Sequence, residues 1–131
     1  MSLQGKTFFV VSRANKAIDG ICSRLRTKGI RIEFCTSGFQ AISLLEKNLK
    51  TKALKFDLMI IFGDSDDMPV REVLNLTRVN INKKDLPIFI MDKASDTDTI
   101  IQLKNEGGNE YLVDFDDFSK ILEKLAILLP N

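Results

Sequence analysis

The stretch Phe56-Asp57-Leu58-Met59-Ile60-Ile61-Phe62-Gly63 decides the fold. From Leu58 to Phe62 it is continuously apolar and too short for an ordinary helix, and the acidic turn Gly63 to Asp67 follows it. A strand without polar alternation is buried on both faces, as in a parallel sheet covered by helices. Two more runs read the same way: Phe8-Phe9-Val10-Val11 within Lys6 to Ser12, and Pro87 to Met91 after the polar turn at Asn82 to Asp85. Ile30, Ile32 and Phe34 alternate instead with Arg31 and Glu33, which places that strand nearer a sheet edge with one wetter face. Tyr111 to Val113 forms a short fifth strand.

Helical spacing fills the intervals. Ile18, Ile21, Cys22 and Leu25 recur behind Asn15, a suitable N-cap, and Gly29 stands where a left-handed residue ends a helix. Ser37 and Gln40 form a capping-box pattern before Ile42, Leu44 and Leu45. Pro69 suits a first helical turn ahead of Val70, Val73, Leu74 and Leu76. Ser95 and Asp98 resemble a capping pair for a helix through Ile100, Ile101 and Leu103, stopped by Gly107 and Gly108. Asp116 can cap a last helix whose Phe118, Ile121, Leu122, Leu125 and Leu128 lie on one stripe. Asn48 to Lys55 reads as a polar connection, and its Lys50, Lys52 and Lys55 are either a solvated loop or a small anion-binding patch.

Strand and helix therefore alternate five times, which implies an α/β three-layer sandwich with right-handed crossovers. Five units suit a flavodoxin-like parallel sheet in the order 2-1-3-4-5, with functional residues at the strand C-termini. The length of 131 residues fits one domain, here residues 4–131.

Composition narrows the chemistry. Lysine plus arginine number 19 and aspartate plus glutamate 18, so a net charge of +1 gives no bulk drive toward nucleic acid or an anionic membrane. No apolar stretch approaches the ~20 residues that span a bilayer, and the chain reads as cytoplasmic. The chain has no histidine, which excludes a Ser-His-Asp triad, a histidine metal site and histidine phosphotransfer within it. Cys22 and Cys35 are not spaced as a metal or redox pair and read as reduced thiols. No glycine-rich phosphate loop is present, which argues against a nucleotide binder.

In this order, Phe56 to Ile61, Leu86 to Met91 and Asn105-Glu106-Gly107-Gly108-Asn109-Glu110-Tyr111-Leu112 resemble the third strand, fourth strand and fifth-strand approach of response regulator receiver domains, the CheY-like fold. The resemblance runs from about Gly5 to Leu129. It implies a carboxylate ending the third strand that takes a phosphoryl group, with Mg²⁺ held partly by acids after the first strand. This chain departs at each part: Phe62 stands at the acceptor position, Ser12 and Arg13 at the acidic pair, Asp92 at the hydroxyl that ends the fourth strand, and Asp114 and Phe115 at the lysine and proline after the fifth. Tyr111 matches the aromatic that switches between inward and outward states.

The expectation is a pseudo-receiver, a non-enzymatic interaction or regulatory module in two-component-type signalling with no cofactor. Its surface for a protein partner or a second copy would be the fourth helix, fifth strand and fifth helix. An Arg13 to Asp114 ion pair could replace the metal-centred network, and Asp92 could hold Tyr111 inward. The alternative is an atypical phosphoacceptor using the Asp64 region with Mg²⁺, for which Asp64, Asp66 and Asp67 are weak metal candidates.

Overall fold

A computed structural model describes residues 3–13, 16–51, 55–63, 68–93 and 96–129. The strands are β1 (Thr7–Val11), β2 (Arg31–Cys35), β3 (Leu58–Phe62), β4 (Ile88–Met91) and β5 (Glu110–Leu112). Alternating with them are α1 (Lys16–Thr27), α2 (Gly38–Lys50), α3 (Val70–Asn80), α4 (Thr97–Asn105) and α5 (Phe118–Leu128). All strand pairs are parallel in the order β2-β1-β3-β4-β5, so the expected 2-1-3-4-5 sheet is formed.

Strand parity divides the core into two layers, because successive side chains point to opposite faces. Phe8, Val10, Leu58, Ile60, Phe62, Phe89 and Met91 pack with α1 and α5, where Ile18, Cys22, Leu25, Ile121 and Leu125 are buried. Phe9, Val11, Met59, Ile61, Ile88, Ile90 and Tyr111 face α2, α3 and α4. Phe9 stacks on Phe56 with ring centroids 4.6 Å apart, and the Asp57 carboxylate accepts from the Thr7 amide at 2.8 Å, which ties the entries of β1 and β3 together. The edge strand β2 keeps Arg31 and Glu33 exposed, as its alternation requires.

Several boundaries differ from the sequence reading by one or a few residues. The Asn48 to Lys55 connection is partly helix, because α2 continues to Lys50 and the Asn48 amide turns inward to donate to the Leu44 carbonyl at 3.1 Å. Asp96, rather than Ser95, caps α4, its carboxylate accepting from the Thr99 amide at 2.8 Å. Asp117, rather than Asp116, caps α5 by accepting from the Ser119 amide at 3.0 Å. Pro69 is the N-cap residue of α3, one position before its first turn. The fifth strand begins at Glu110, one residue early, and Val113 lies beyond it. Ser37 does cap α2, accepting from the Gln40 amide at 3.3 Å. The Asn15, Lys52 and Ser95 readings fall outside the described residues.

Where the chain enters β4 and β5, Arg78 fastens three segments. Its guanidinium donates to the carbonyls of Gly107 (2.8 Å), Ile81 (3.2 Å), Asn82 (3.0 Å) and Leu86 (2.8 Å), and to Asn109 Oδ1 (2.8 Å). Gly107 has φ +128°, and a Cβ there would come within 2.6 Å of the Arg78 side chain. Glycine is required for both reasons.

Candidate functional site at the carboxyl ends of the strands

A parallel sheet delivers the residues that end its strands to one rim, so Ser12, Arg13, Phe62, Asp92 and Asp114 all lie along the same edge. Phe62 is the last residue of β3 and only 2 % exposed. Its ring meets Phe115 edge to face, centroids 5.5 Å apart and planes at 75°. Over the far ring stands Lys93, its ammonium 5.0 Å from the Phe115 centroid and 2.9 Å from Asp116 Oδ1. An aromatic pair under a cation thus occupies the end of the third strand, held by ring quadrupole and charge.

The groups after β1 are equally committed. Ser12 is fully buried; its amide donates to the Cys35 carbonyl at 3.0 Å and its hydroxyl to the Arg13 carbonyl at 2.9 Å. Arg13 is exposed, yet it does not pair with Asp114 as expected. Asp114 instead takes Lys120, a residue of its own following helix, at 3.0 Å. The hydrogen bond and charge of Lys120 hold the Asp114 carboxyl below its usual range, and Asp114 raises Lys120 in return.

Asp92 follows β4, and its amide donates to the Leu112 carbonyl at 3.2 Å. The carboxylate lies over Gly63: a Cβ at that glycine would stand 2.2 Å from the Asp92 carboxyl carbon. Only glycine lets the two strand ends approach this closely. Tyr111 is 5 % exposed and points inward, its hydroxyl donating to the main-chain carbonyl of Asp92 at a long 3.4 Å. The expected Tyr111 to Asp92 contact therefore forms through the backbone carbonyl.

Magnesium, which the receiver resemblance implies, does not fit the described residues. Phe62 has no donor atom and Arg13 repels a cation. Among the described residues no three of aspartate, glutamate and cysteine converge to hold a metal. Asp64, Asp66 and Asp67 lie outside the described residues. Both cysteines are free, and burial pushes the Cys22 and Cys35 thiols up, away from reactive thiolate. Sequence reasoning missed Lys93, whose pairing with Asp116 becomes visible only once the loops after β4 and β5 lie side by side, and Lys120, which the first turns of α5 bring back to Asp114.

On the flank of the sheet, β5 runs between α4 and α5. Its Glu110 carboxylate sits between Lys104 of α4 (3.7 Å) and Lys124 of α5 (3.1 Å). Ile101, Val113 and Ile127 are exposed around this charged seam. No helix among the described residues is long and apolar enough to cross a membrane.

No protein-family model and no curated protein matches the sequence. Solved structures do. A two-component response regulator from Clostridium difficile is 19% identical with TM-score 0.77, the match covering 94% of each chain. The receiver domain of sensor histidine kinase PA1611 from Pseudomonas aeruginosa PAO1, which has magnesium coordinated in its active-site cleft, is 17% identical with TM-score 0.77, covering 95% of this chain and 97% of that one. A probable two-component system response regulator/GGDEF domain protein is 13% identical with TM-score 0.82, covering 96% of this chain and 50% of that longer one. The chain therefore has the fold of response regulator receiver domains.

Proposed function

We propose that this chain is a pseudo-receiver: a signalling module of two-component type that works without a phosphoryl group on its third strand. The observation that carries the reading is Phe62, a buried hydrocarbon ring packed against Phe115 where a receiver presents its acceptor carboxylate. It can neither attack phosphorus nor ligate a cation. Lys93 and Lys120 are paired with Asp116 and Asp114 within the chain.

The working surface in this reading is α4–β5–α5. Tyr111 is already inward, and Glu110 lies between Lys104 of α4 and Lys124 of α5 across β5, which supports a surface that keeps one arrangement without a chemical signal. Exposed Ile101, Val113 and Ile127 give it the apolar character of a protein-binding face. The response regulator/GGDEF neighbour joins its receiver fold to further chain, and an output domain or a separate protein is the corresponding partner here.

Incubation with Mg²⁺ and a small phosphoryl donor, followed by rapid quenching and intact mass, tests the proposal. No adduct is expected while a control receiver labels fully. An adduct abolished by Asp64→Asn or Asp66→Asn would replace this reading with an atypical phosphoacceptor.

A further inference from the structure

The charges of this nearly neutral chain are separated along the strand axis. Every strand is parallel, so the loops entering the strands share one rim and the loops leaving them share the other. Among the described residues the entry rim carries Lys6, Lys28, Arg31, Lys55, Lys83 and Lys84. Its acids are largely engaged: Asp57 accepts from the Thr7 amide, Glu106 pairs with Arg71 at 2.8 Å and Glu110, the first residue of β5, with Lys124 at 3.1 Å, leaving Asp85 exposed in the loops. The exit rim carries Asp92, Asp96 and Asp98 after β4 and Asp114, Asp116 and Asp117 after β5. Lys93 and Lys120 there are paired to two of these acids, and Arg13 and Lys16 stand on the β1 side.

Helix dipoles explain part of this. Asp98 lies in the first turn of α4 and Lys50 in the last turn of α2, each beside the helix end that its charge complements. They do not explain Lys55 and Lys84, which lie in loops, whereas Lys83 donates to the Lys104 carbonyl in the last turn of α4 at 3.1 Å and Asp116 pairs with Lys93. A net charge of +1 means that two copies meet without long-range repulsion, while the acidic rim of one faces the basic rim of the next.

We infer that a second copy of this chain is the partner of each rim, the acidic exit rim of one molecule docking on the basic entry rim of the next. The contact is heterologous and open-ended, so it extends into short head-to-tail stacks, unlike a two-fold pair through α4–β5–α5. It leaves that face exposed along the stack and depends on salt, because rim charges are screened over a Debye length of about 8 Å at 0.15 M.

Sedimentation velocity on the intact chain over a range of concentrations tests this at low salt and at about 0.5 M, where screening is short. The expected result is an average mass that passes that of a dimer at low salt and returns to monomer at high salt. Two variants supply the second arm: Lys28→Gln with Lys55→Gln and Lys84→Gln, and Asp98→Asn with Asp116→Asn. Each alone should remain monomeric. Mixed in equal amounts they should form one dimer and stop, because each retains one intact rim, and this also shows that both are folded. A monomer under every condition overturns the inference. So does a dimer that neither variant affects, and so does a basic rim that retains heparin or nucleic acid without any self-association.

Discussion

Phe62 and Phe115 meet edge to face at the ends of β3 and β5, one ring almost wholly buried and the other under the ammonium of Lys93. The contact joins the segments that leave β3 and β5. It does so with dispersion and quadrupole terms, which need no signal to form.

In the proposed reading, placing a carboxylate at position 62 alone should not create an acceptor. In Phe62→Asp the carboxylate enters a site 2 % exposed, with Asp92 and Asp114 at the neighbouring strand ends and Lys120 already engaged. An uncompensated buried charge of this kind costs about 3–5 kcal/mol unless the group protonates. Urea denaturation should show that loss, and intact mass after treatment with Mg²⁺ and a phosphoryl donor should show no adduct. Efficient labelling of this single variant would mean that the site is far more receiver-like than its geometry indicates.

The Arg78 knot should be the most sensitive point away from this rim. Its donors satisfy four carbonyls and the Asn109 amide oxygen, and Asn109 Oδ1 also accepts from the Ile88 amide at 2.9 Å. Burial pushes Arg78 down to about 10, still well above neutral pH, so it remains a cation. Arg78→Ala strands several partly buried acceptors and should cost roughly 3 kcal/mol. Arg78→Lys should recover little, because one ammonium cannot reproduce the planar fork. The comparison is two denaturation curves, and near-wild-type stability of the lysine variant would refute the geometric argument.

Much of this was legible in the sequence, and the limits have physical causes. The runs Phe8 to Val11, Leu58 to Phe62 and Ile88 to Met91 are buried on both sides, so composition alone marks them as interior strands. Caps were harder: Asp116 and Asp117 are adjacent and chemically equal, and only backbone geometry decides which side chain reaches the Ser119 amide. The expected Arg13 to Asp114 pair lost to Lys120, which is six residues from Asp114 and placed by the first turns of α5. Arg78 gave no local signal because its partners are spread from Ile81 to Asn109.

The Asp114 to Lys120 pair makes a prediction about pH. Asp114 is depressed, so its contribution is present above the unfolded carboxylate value and is lost as pH falls through the lower folded value. Lys120 is raised, so its contribution holds below the unfolded lysine value and is lost as pH rises through the higher folded value. The pair is thus intact across the neutral range and weakens at both ends. In Lys120→Gln the Asp114 carboxyl resonance should titrate higher, toward the usual aspartate range, with little change in stability because both groups are exposed. An unmoved titration would show that the pair is absent in solution.

Tyr111 offers the most direct test of the proposed fixed state. It is the one tyrosine in a chain without tryptophan, so intrinsic emission comes from a single site. At 5 % exposure, with its hydroxyl on the Asp92 carbonyl, it should resist quenching by acrylamide in the native protein and become accessible on unfolding. Adding Mg²⁺ with a phosphoryl donor should leave both emission and quenching unchanged. Tyr111→Phe removes only the hydroxyl and should cost about 1 kcal/mol or less, since its hydrogen bond is long. A donor-dependent change in quenching would show that the aromatic still moves in response to phosphorylation, and would return the third-strand loop to the role of acceptor.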